Sequence, residues 1–130
     1  MAKTTRKRTK QAAGPKLTPS ERLKKAAGII RKKGWVQGMF RARFAGGNQN
    51  GVPYKKGAVC AYQAYDEAGD GLDALKLLAS RIYRVTAEVF PSLSAYHLAE
   101  DLRDYVISWN DAAGRTEAEV LAVLEGRRGR

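Results

Sequence analysis

A chain of 130 residues with 44% hydrophobic and 28% charged residues has the composition of one globular domain with a tail, not of a disordered protein. It has no apolar run long enough for a transmembrane helix, and its basic N-terminus lacks the apolar segment of a secretory signal. The single cysteine, Cys60, excludes an internal disulfide and a cysteine-based zinc cluster. We therefore expect an intracellular, cytoplasmic protein without a membrane span.

The excess of positive charge is confined to the first quarter of the chain. Residues 1–33 carry twelve Lys and Arg residues and one acid, Glu21, which accounts for the whole formal charge of +11. In residues 34–130, twelve bases and twelve acids cancel. A uniform excess could serve solubility alone, so this asymmetry favours a surface for polyanions.

The first segment, residues 1–17, has no hydrophobic periodicity and contains six bases and no acid. It predicts a flexible, disordered basic arm. The arm either binds a polyanion or only keeps the protein soluble, and the gain from phosphate neutralisation favours binding. The arm residues expected to contact nucleic acid are Lys3, Arg6, Lys7, Arg8 and Lys10.

The next segment carries the start and stop signals of a helix. Thr18 and Glu21 have the spacing of a capping box, Pro19 suits the first helical position, and Gly34 suits the end. We predict a helix over residues 19–33, with Trp35 packing back against its last turn. Its expected phosphate contacts are Lys24, Lys25, Arg31, Lys32 and Lys33.

Residues 36–55 show strand periodicity around a glycine-rich loop. Apolar and polar side chains alternate over residues 36–44, Asn50-Gly51 is a turn signal, and residues 52–55 can return as an edge strand. We predict a small β-ribbon after helix 1, which would add Arg41 and Arg43 to the nucleic-acid-binding set. An ordinary mobile hairpin whose charges discourage aggregation is an equal alternative.

Four further helices are predicted over residues 58–68, 72–90, 94–109 and 117–125. Asp70 or Asp73 is expected to cap the second of these helices, and Pro91 to end it. Thr116 and Glu119 form a second capping box. The fold class is therefore mainly α, a compact bundle of four to five helices with a small β-ribbon. The domain spans residues 18–126, between the arm and a basic C-terminal tail of residues 127–130.

The most site-like cluster is the corner between the last two helices, formed by Trp109, Asn110, Asp111, Arg115 and Thr116. It either presents a polar recognition surface or ends one helix and starts the next. Turn architecture accounts for every residue type in it, which favours the structural interpretation.

No catalytic or metal-binding pattern emerges. Cys60 and His97 form the only conceivable nucleophile–base pair, but they lie in different predicted helices and no third group orients them. The acidic run over residues 66–73 lacks the spacing of a calcium loop, and no glycine-rich phosphate motif is present. We expect no catalytic residue, no metal and no cofactor.

Three motifs in chain order resemble a known domain family. They are Gly34-Trp35-Val36-Gln37-Gly38, then Cys60-Ala61-Tyr62-Gln63-Ala64-Tyr65, then Trp109-Asn110-Asp111-Ala112-Ala113-Gly114-Arg115-Thr116 followed by Glu119-Val120. They resemble an uncharacterised family of actinobacteria and their phages, which reads G-W-x-Q-G, C-A-L-G-A and W-N-D-x-x-G-R-T-x-x-E-V. Tyr62-Gln63 departs from the usual Leu-Gly. Over residues 20–126, the resemblance implies a small helical domain of phage or actinobacterial source, without an assigned reaction.

Taken together, these features predict a non-enzymatic accessory protein that binds nucleic acid through the arm and helix 1. Phosphate contacts carry no sequence code, so we expect DNA or RNA to be bound with little sequence preference. Phe40 and Tyr54 could stack on bases, whereas Trp35 is expected in the core. The alternative is a protein-interaction module that docks on a host or virion protein, in the host cytoplasm if the chain is phage-encoded.

Overall fold

The computed structural model describes residues 17–45, 47–49, 52–69, 71–87 and 98–127. The helices are α1 (Pro19–Lys33), α2 (Ala61–Glu67), α3 (Leu72–Thr86), α4 (Leu98–Asn110) and α5 (Glu117–Glu125). Two-residue strands β1 (Asn48–Gln49) and β2 (Val52–Pro53) lie between α1 and α2. The predicted mainly helical class is confirmed. Outside the described residues lie the predicted start of the fourth helix, Pro91, His97 and the arm cations Lys3, Arg6, Lys7, Arg8 and Lys10.

Helix α1 forms as its sequence predicts. The Thr18 N–H donates to Glu21 Oε1 over 2.7 Å, and the Glu21 N–H donates to Thr18 Oγ1 over 3.1 Å, which completes the capping box. Gly34 ends the helix with φ 98° and ψ 167°, so the chain leaves in an extended direction and does not form the expected left-handed cap. The segment after α1 therefore runs straight into the interior.

Helix α1 is also the central packing element. It contacts α2, α3 and α5, while α4 packs against α2 and α3. Its buried side chains recur at helical spacing, which gives it one apolar stripe against these partners. They are Leu23, Ala26, Ala27 and Ile30, all completely buried. The face opposite this stripe is left to solvent.

The predicted β-ribbon is wrong. In place of a strand over residues 36–44, the described chain has only isolated bridges from Trp35 and Arg41 to Val59. Gly38 turns the backbone with φ +78°, and Val36 and Ala42 pack with Ala58 in a small separate cluster. The alternation of apolar residues therefore reflects two buried anchors on a loop. The β1–β2 pairing, of two residues on each side, is too short to be the ribbon we expected.

Two helix boundaries and one helix cap differ clearly from the prediction. Helix α2 starts at Ala61 and not at residue 58, because the carbonyls of Ala58 and Val59 accept hydrogen bonds from the 34–42 segment. Helix α3 ends at Thr86, where Ala87 takes a left-handed conformation. Its N-cap is Gly71, without a side-chain cap, so the predicted cap by Asp73 is wrong. Asp70 lies outside the described residues.

Helix α5 forms at its predicted bounds, with the Thr116–Glu119 capping box at its start and Gly126 in a left-handed conformation at its end. Across the part of the chain that the structure describes, every helix is too short or too polar to cross a bilayer.

We predict that Gly28→Ala raises the free energy of unfolding by about 0.5–1 kcal/mol. Gly28 lies on the exposed side of α1, and an added Cβ would have no atom within 4 Å, so only the lower freedom of the unfolded chain and the better helix propensity change. Urea denaturation measures the difference. The control is Gly34→Ala, which should destabilise, because φ is +98° there and the Cβ would lie 3.3 Å from Ala58 Cβ. A Gly28→Ala variant less stable than wild type would contradict this account of α1.

Candidate functional site

The side-chain amide of Asn110 lies at the centre of a buried polar network. Asn110 is the last residue of α4 and is completely buried. Its Oδ1 accepts hydrogen bonds from Trp35 Nε1 over 2.6 Å and from the Ala61 N–H over 3.0 Å. Its Nδ2 donates to the Val36 carbonyl over 3.1 Å and to Asp111 Oδ1 over 2.9 Å. All four hydrogen-bonding positions of the amide are therefore filled.

The network continues into the segment after α1. Gln37 Nε2 donates to the Asn110 carbonyl over 2.8 Å and to the Ala112 carbonyl over 2.9 Å. The Gly38 N–H donates to Asp111 Oδ1 over 2.9 Å. These bonds attach the chain that leaves α1 to the corner where α4 ends.

Arg115 closes the other side of the corner. Its Nε donates to the Trp109 carbonyl over 2.9 Å, and its guanidinium carbon lies 5.1 Å from the centre of the Trp109 ring. Thr116 then caps α5. Asn110, Asp111, Arg115 and Thr116 thus each have a partner inside the domain, which favours the structural interpretation of this cluster. The buried Trp109 Nε1 is the exception in the corner, because it has no hydrogen-bond partner among the described residues.

The three sequence motifs meet at this point. Trp35 and Gln37 come from the first motif, Ala61 from the second, and Asn110 from the third. Sequence reasoning assigned the corner residues but missed these partners, which lie 49 to 75 positions away. The signal in the sequence that could have pointed to these partners was the occurrence of all three motifs in one chain.

A small cleft of about 170 Å³ opens beside the corner. Its lining includes Met39, Phe40, Ile107, Asp111 and Cys60. Burial raises the pKa of the Cys60 thiol, and the sulfur accepts a hydrogen bond from the Gln63 N–H as the N-cap of α2. A buried, protonated thiol is a poor nucleophile, so the cleft offers apolar contact and not covalent chemistry.

The described residues offer no metal centre. They contain no group of three or more His, Cys, Asp or Glu side chains arranged to hold a metal ion. His97 lies outside the described residues, so the structure does not place it relative to Cys60.

The predicted nucleic-acid-binding cations of α1 fall into two groups. Arg31 pairs with Glu125 over 2.7 Å, and Lys33 pairs with Glu67 over 2.7 Å. Three others are exposed and make no ion pair with any described residue, namely Lys24, Lys25 and Lys32. Lys25 and Lys32 lie opposite the buried stripe of α1 and Lys24 lies at its side, where a ligand could reach them.

Glu67 neutralises two of the predicted cations at once. Its Oε1 pairs with Lys33, and its Oε2 pairs with Arg41 and accepts a further hydrogen bond from Gln63. Partial burial raises the pKa of Glu67, but the hydrogen bonds from Lys33, Gln63 and Arg41 outweigh it and lower the pKa to about 2. This carboxylate joins the last turn of α1 to the segment that contains Arg41.

That segment, which we call the 39–44 loop (Met39-Phe40-Arg41-Ala42-Arg43-Phe44), carries the most exposed aromatic ring among the described residues. Phe44 is 79% exposed and Phe40 is 51% exposed. Of the three rings predicted near the basic helix, Trp35 is buried and Tyr54 is half-buried, so only Phe40 remains available for stacking. Phe44 was not singled out from the sequence, although it stands in the same alternating set as Phe40.

Comparison with known proteins identifies the family alone. A protein-family model described as a family of unknown function (DUF6197) matches residues 14–126, which is most of the chain. The chain belongs to this family, and the uncharacterised domain family expected from the three motifs is confirmed. Neither a curated protein nor a solved structure matches the chain.

We predict that Asn110→Ala lowers the free energy of unfolding by about 3–5 kcal/mol, because it removes the buried hydrogen bonds that Asn110 makes with Trp35 Nε1, the Ala61 N–H and the Val36 carbonyl. Asn110→Asp keeps the shape but replaces the donor by an oxygen that faces two acceptors, so it should also destabilise strongly near neutral pH. Denaturant unfolding measures both. The control Ser108→Ala, on the exposed side of α4, should change stability by less than about 0.5 kcal/mol. An Asn110→Asp variant as stable as wild type would refute the network.

Glu67→Gln should lower stability in a pH-dependent way. The pKa of Glu67 is about 2 in the folded chain against an ordinary value of 4.5, so its ionised form stabilises the fold above about pH 4.5. This stabilisation is lost as the pH falls towards 2. Unfolding free energies measured from about pH 2 to 6 should therefore show a gap between wild type and Glu67→Gln that shrinks on acidification. A difference in stability between the two proteins that does not change with pH would contradict the low pKa assigned to Glu67. Asp66→Asn, on the same helix and without an ion pair among the described residues, is the control.

Proposed function

We propose that this member of the family is a non-enzymatic accessory protein that binds DNA or RNA electrostatically, through its N-terminal basic residues and the exposed face of α1. One observation carries the proposal. Residues 17–45 contain eight Lys and Arg residues against one acid, and Lys24, Lys25 and Lys32 project from α1 without an ion pair to any described residue. Residues 1–16 add six bases and no acid.

The distribution of ion pairs supports a ligand on this face of α1. The carboxylates of the domain pair with cations at the flanks of the helix, as Asp73 does with Arg22 and Glu125 with Arg31. The outward cations form no ion pair in the described part of the chain, although Lys24 lies near the Glu21 carboxylate and helps to lower its pKa. Contact with phosphates would supply the missing negative charge and release counterions from the nucleic acid.

The mode of binding follows from the chemistry of these side chains. Lys contacts to phosphates position a protein on nucleic acid but carry no base code. We therefore propose weak sequence preference and leave DNA and RNA as equal ligands. We propose no catalytic role for Cys60, since the thiol is buried and its burial raises the pKa.

The biological setting is part of the proposal. The resemblance of the three motifs supports an actinobacterial or phage source. We propose a cytoplasmic location, which is that of the host cell if the chain is phage-encoded.

A second candidate function is a protein-interaction module that docks on a host or virion protein. The observation that favours it is the exposed apolar surface of the 39–44 loop, with Phe44 79% and Met39 41% exposed. A partner held this way would stay bound after nuclease treatment and in high salt, where an electrostatic nucleic-acid complex dissociates.

The test is the triple variant Lys24→Glu, Lys25→Glu, Lys32→Glu. We predict that it weakens binding to labelled DNA and RNA of about 20 nucleotides by more than roughly ten-fold at about 0.1 M salt. The slope of log affinity against log salt should fall by about 2–3, since three phosphate contacts are lost. Fluorescence anisotropy measures both quantities.

The matched control is Lys76→Glu, Arg84→Glu, Arg103→Glu, which makes the same change in net charge on α3 and α4. This variant should bind almost as tightly as wild type. Equal weakening by both triple variants would mean that net charge, and not the α1 face, decides binding. Binding unchanged in the α1 variant would refute the proposed function.

A further inference from the structure

We propose that the nucleic acid is single-stranded and that its bases stack on Phe40 and Phe44 of the 39–44 loop. This inference rests on the proposed function and names the class of ligand. Its first support is exposure, because Phe44 is 79% and Phe40 is 51% exposed, although burying a Phe ring is normally favourable. Both rings belong to one six-residue loop.

The loop backbone is held in place at Phe40 and Ala42, and the half-exposed Phe40 ring also contacts the Tyr62 ring, with the centroids 6.2 Å apart. The Cys60 N–H donates to the Phe40 carbonyl over 3.0 Å. Ala42 is buried, its N–H donates to the Ala58 carbonyl over 2.8 Å, and its own carbonyl accepts from the Gly57 N–H over 2.8 Å. A ring on a fixed backbone loses little conformational freedom when a base stacks on it. The loop can therefore bind a base with little rearrangement of its backbone, and we call its two rings the stacking platform.

Cations accompany the rings within the loop. Arg43 is exposed and has no ion pair with any described residue. Arg41 is also exposed, but it pairs with Glu67. The guanidinium groups of Arg41 and Arg43 lie between the two Phe rings along the chain. A stacking surface combined with a positively charged track is the arrangement by which single strands are bound. This charge favours a nucleic acid over an uncharged apolar partner.

The loop is continuous with the basic face of α1. Lys33, in the last turn of α1, and Arg41 bind the two oxygens of the same Glu67 carboxylate, so the loop lies beside the end of the helix. Lys55 approaches the same end, because its Cε lies 3.2 Å from the position that a Cβ on Gly34 would occupy. A nucleic acid whose phosphates bind along α1 would therefore extend towards the loop.

Stacking on these rings requires bases whose faces are open. In a duplex the base faces are covered by neighbouring pairs, and only backbone and groove edges are presented. The α1 cations can contact either form, since both carry phosphates. The two rings add affinity only for the single strand, so we expect a preference for it at equal salt.

The experiment compares the full-length chain with Phe40→Ala, Phe44→Ala in binding to an oligothymidylate of about 20 nucleotides and to a duplex of equal length. Wild type should bind the single strand roughly ten-fold more tightly than the duplex at about 0.1 M salt. The double variant should lose that preference, with duplex affinity within about two-fold of wild type and an unchanged salt slope. Leu72→Ala, Val85→Ala, which removes exposed apolar side chains from α3, is the matched control and should behave as wild type.

A strand with one 2-aminopurine base gives an independent readout, since stacking against a ring changes its fluorescence. That change should be present with wild type and absent with the double variant, whose folding is checked by circular dichroism. Single-strand affinity unaffected by the double variant, or equal affinity of wild type for both forms, overturns the stacking platform and leaves the proposed function standing. No binding by wild type to either form overturns both. Loop-dependent binding to anionic lipid vesicles, with oligonucleotide binding unchanged, also overturns the platform.

Discussion

The side-chain amide of Asn110 is the interaction on which the rest of this fold depends. It fills all of its hydrogen-bonding positions with groups from the segment after α1, the start of α2 and the end of α4. A buried amide is stable only when each of its polar atoms has a partner, so these segments can meet in one arrangement. Trp35, Val36 and Gln37 are held by this contact, and the direction in which the 39–44 loop leaves the core follows from it.

The residues of the three sequence motifs that meet at Asn110 serve the fold. The motif residues that meet at Asn110 face each other, and Asp111 Oδ1 already accepts two hydrogen bonds there. In this chain, a binding function is therefore sought on surfaces that the three motifs leave free. The outward cations of α1 and the rings of the 39–44 loop are such surfaces, and they adjoin through Glu67.

The features that the sequence predicted best are those that depend on residues close together in the chain. The capping boxes of α1 and α5 join residues three positions apart, so both could be recognised from residue type alone. The partners of Asn110 come from distant positions, and no local rule connects them. The alternation over residues 36–44 misled us because two small buried residues and a turning glycine imitate a strand. Charge could be counted from the sequence, but which cations are neutralised depends on tertiary contacts such as Lys33 with Glu67.

The most direct test is an NMR titration of the isotope-labelled chain with a short oligothymidylate. The central claim is that the Asn110 network is structural and that the ligand binds at α1 and the 39–44 loop. The largest amide shifts should then occur at Lys24, Lys25 and Lys32 and in that loop. The Trp35 indole N–H should keep its position and remain protected from exchange with solvent, as a buried hydrogen bond requires. Largest shifts over residues 109–116, or loss of that protection on binding, would contradict the account.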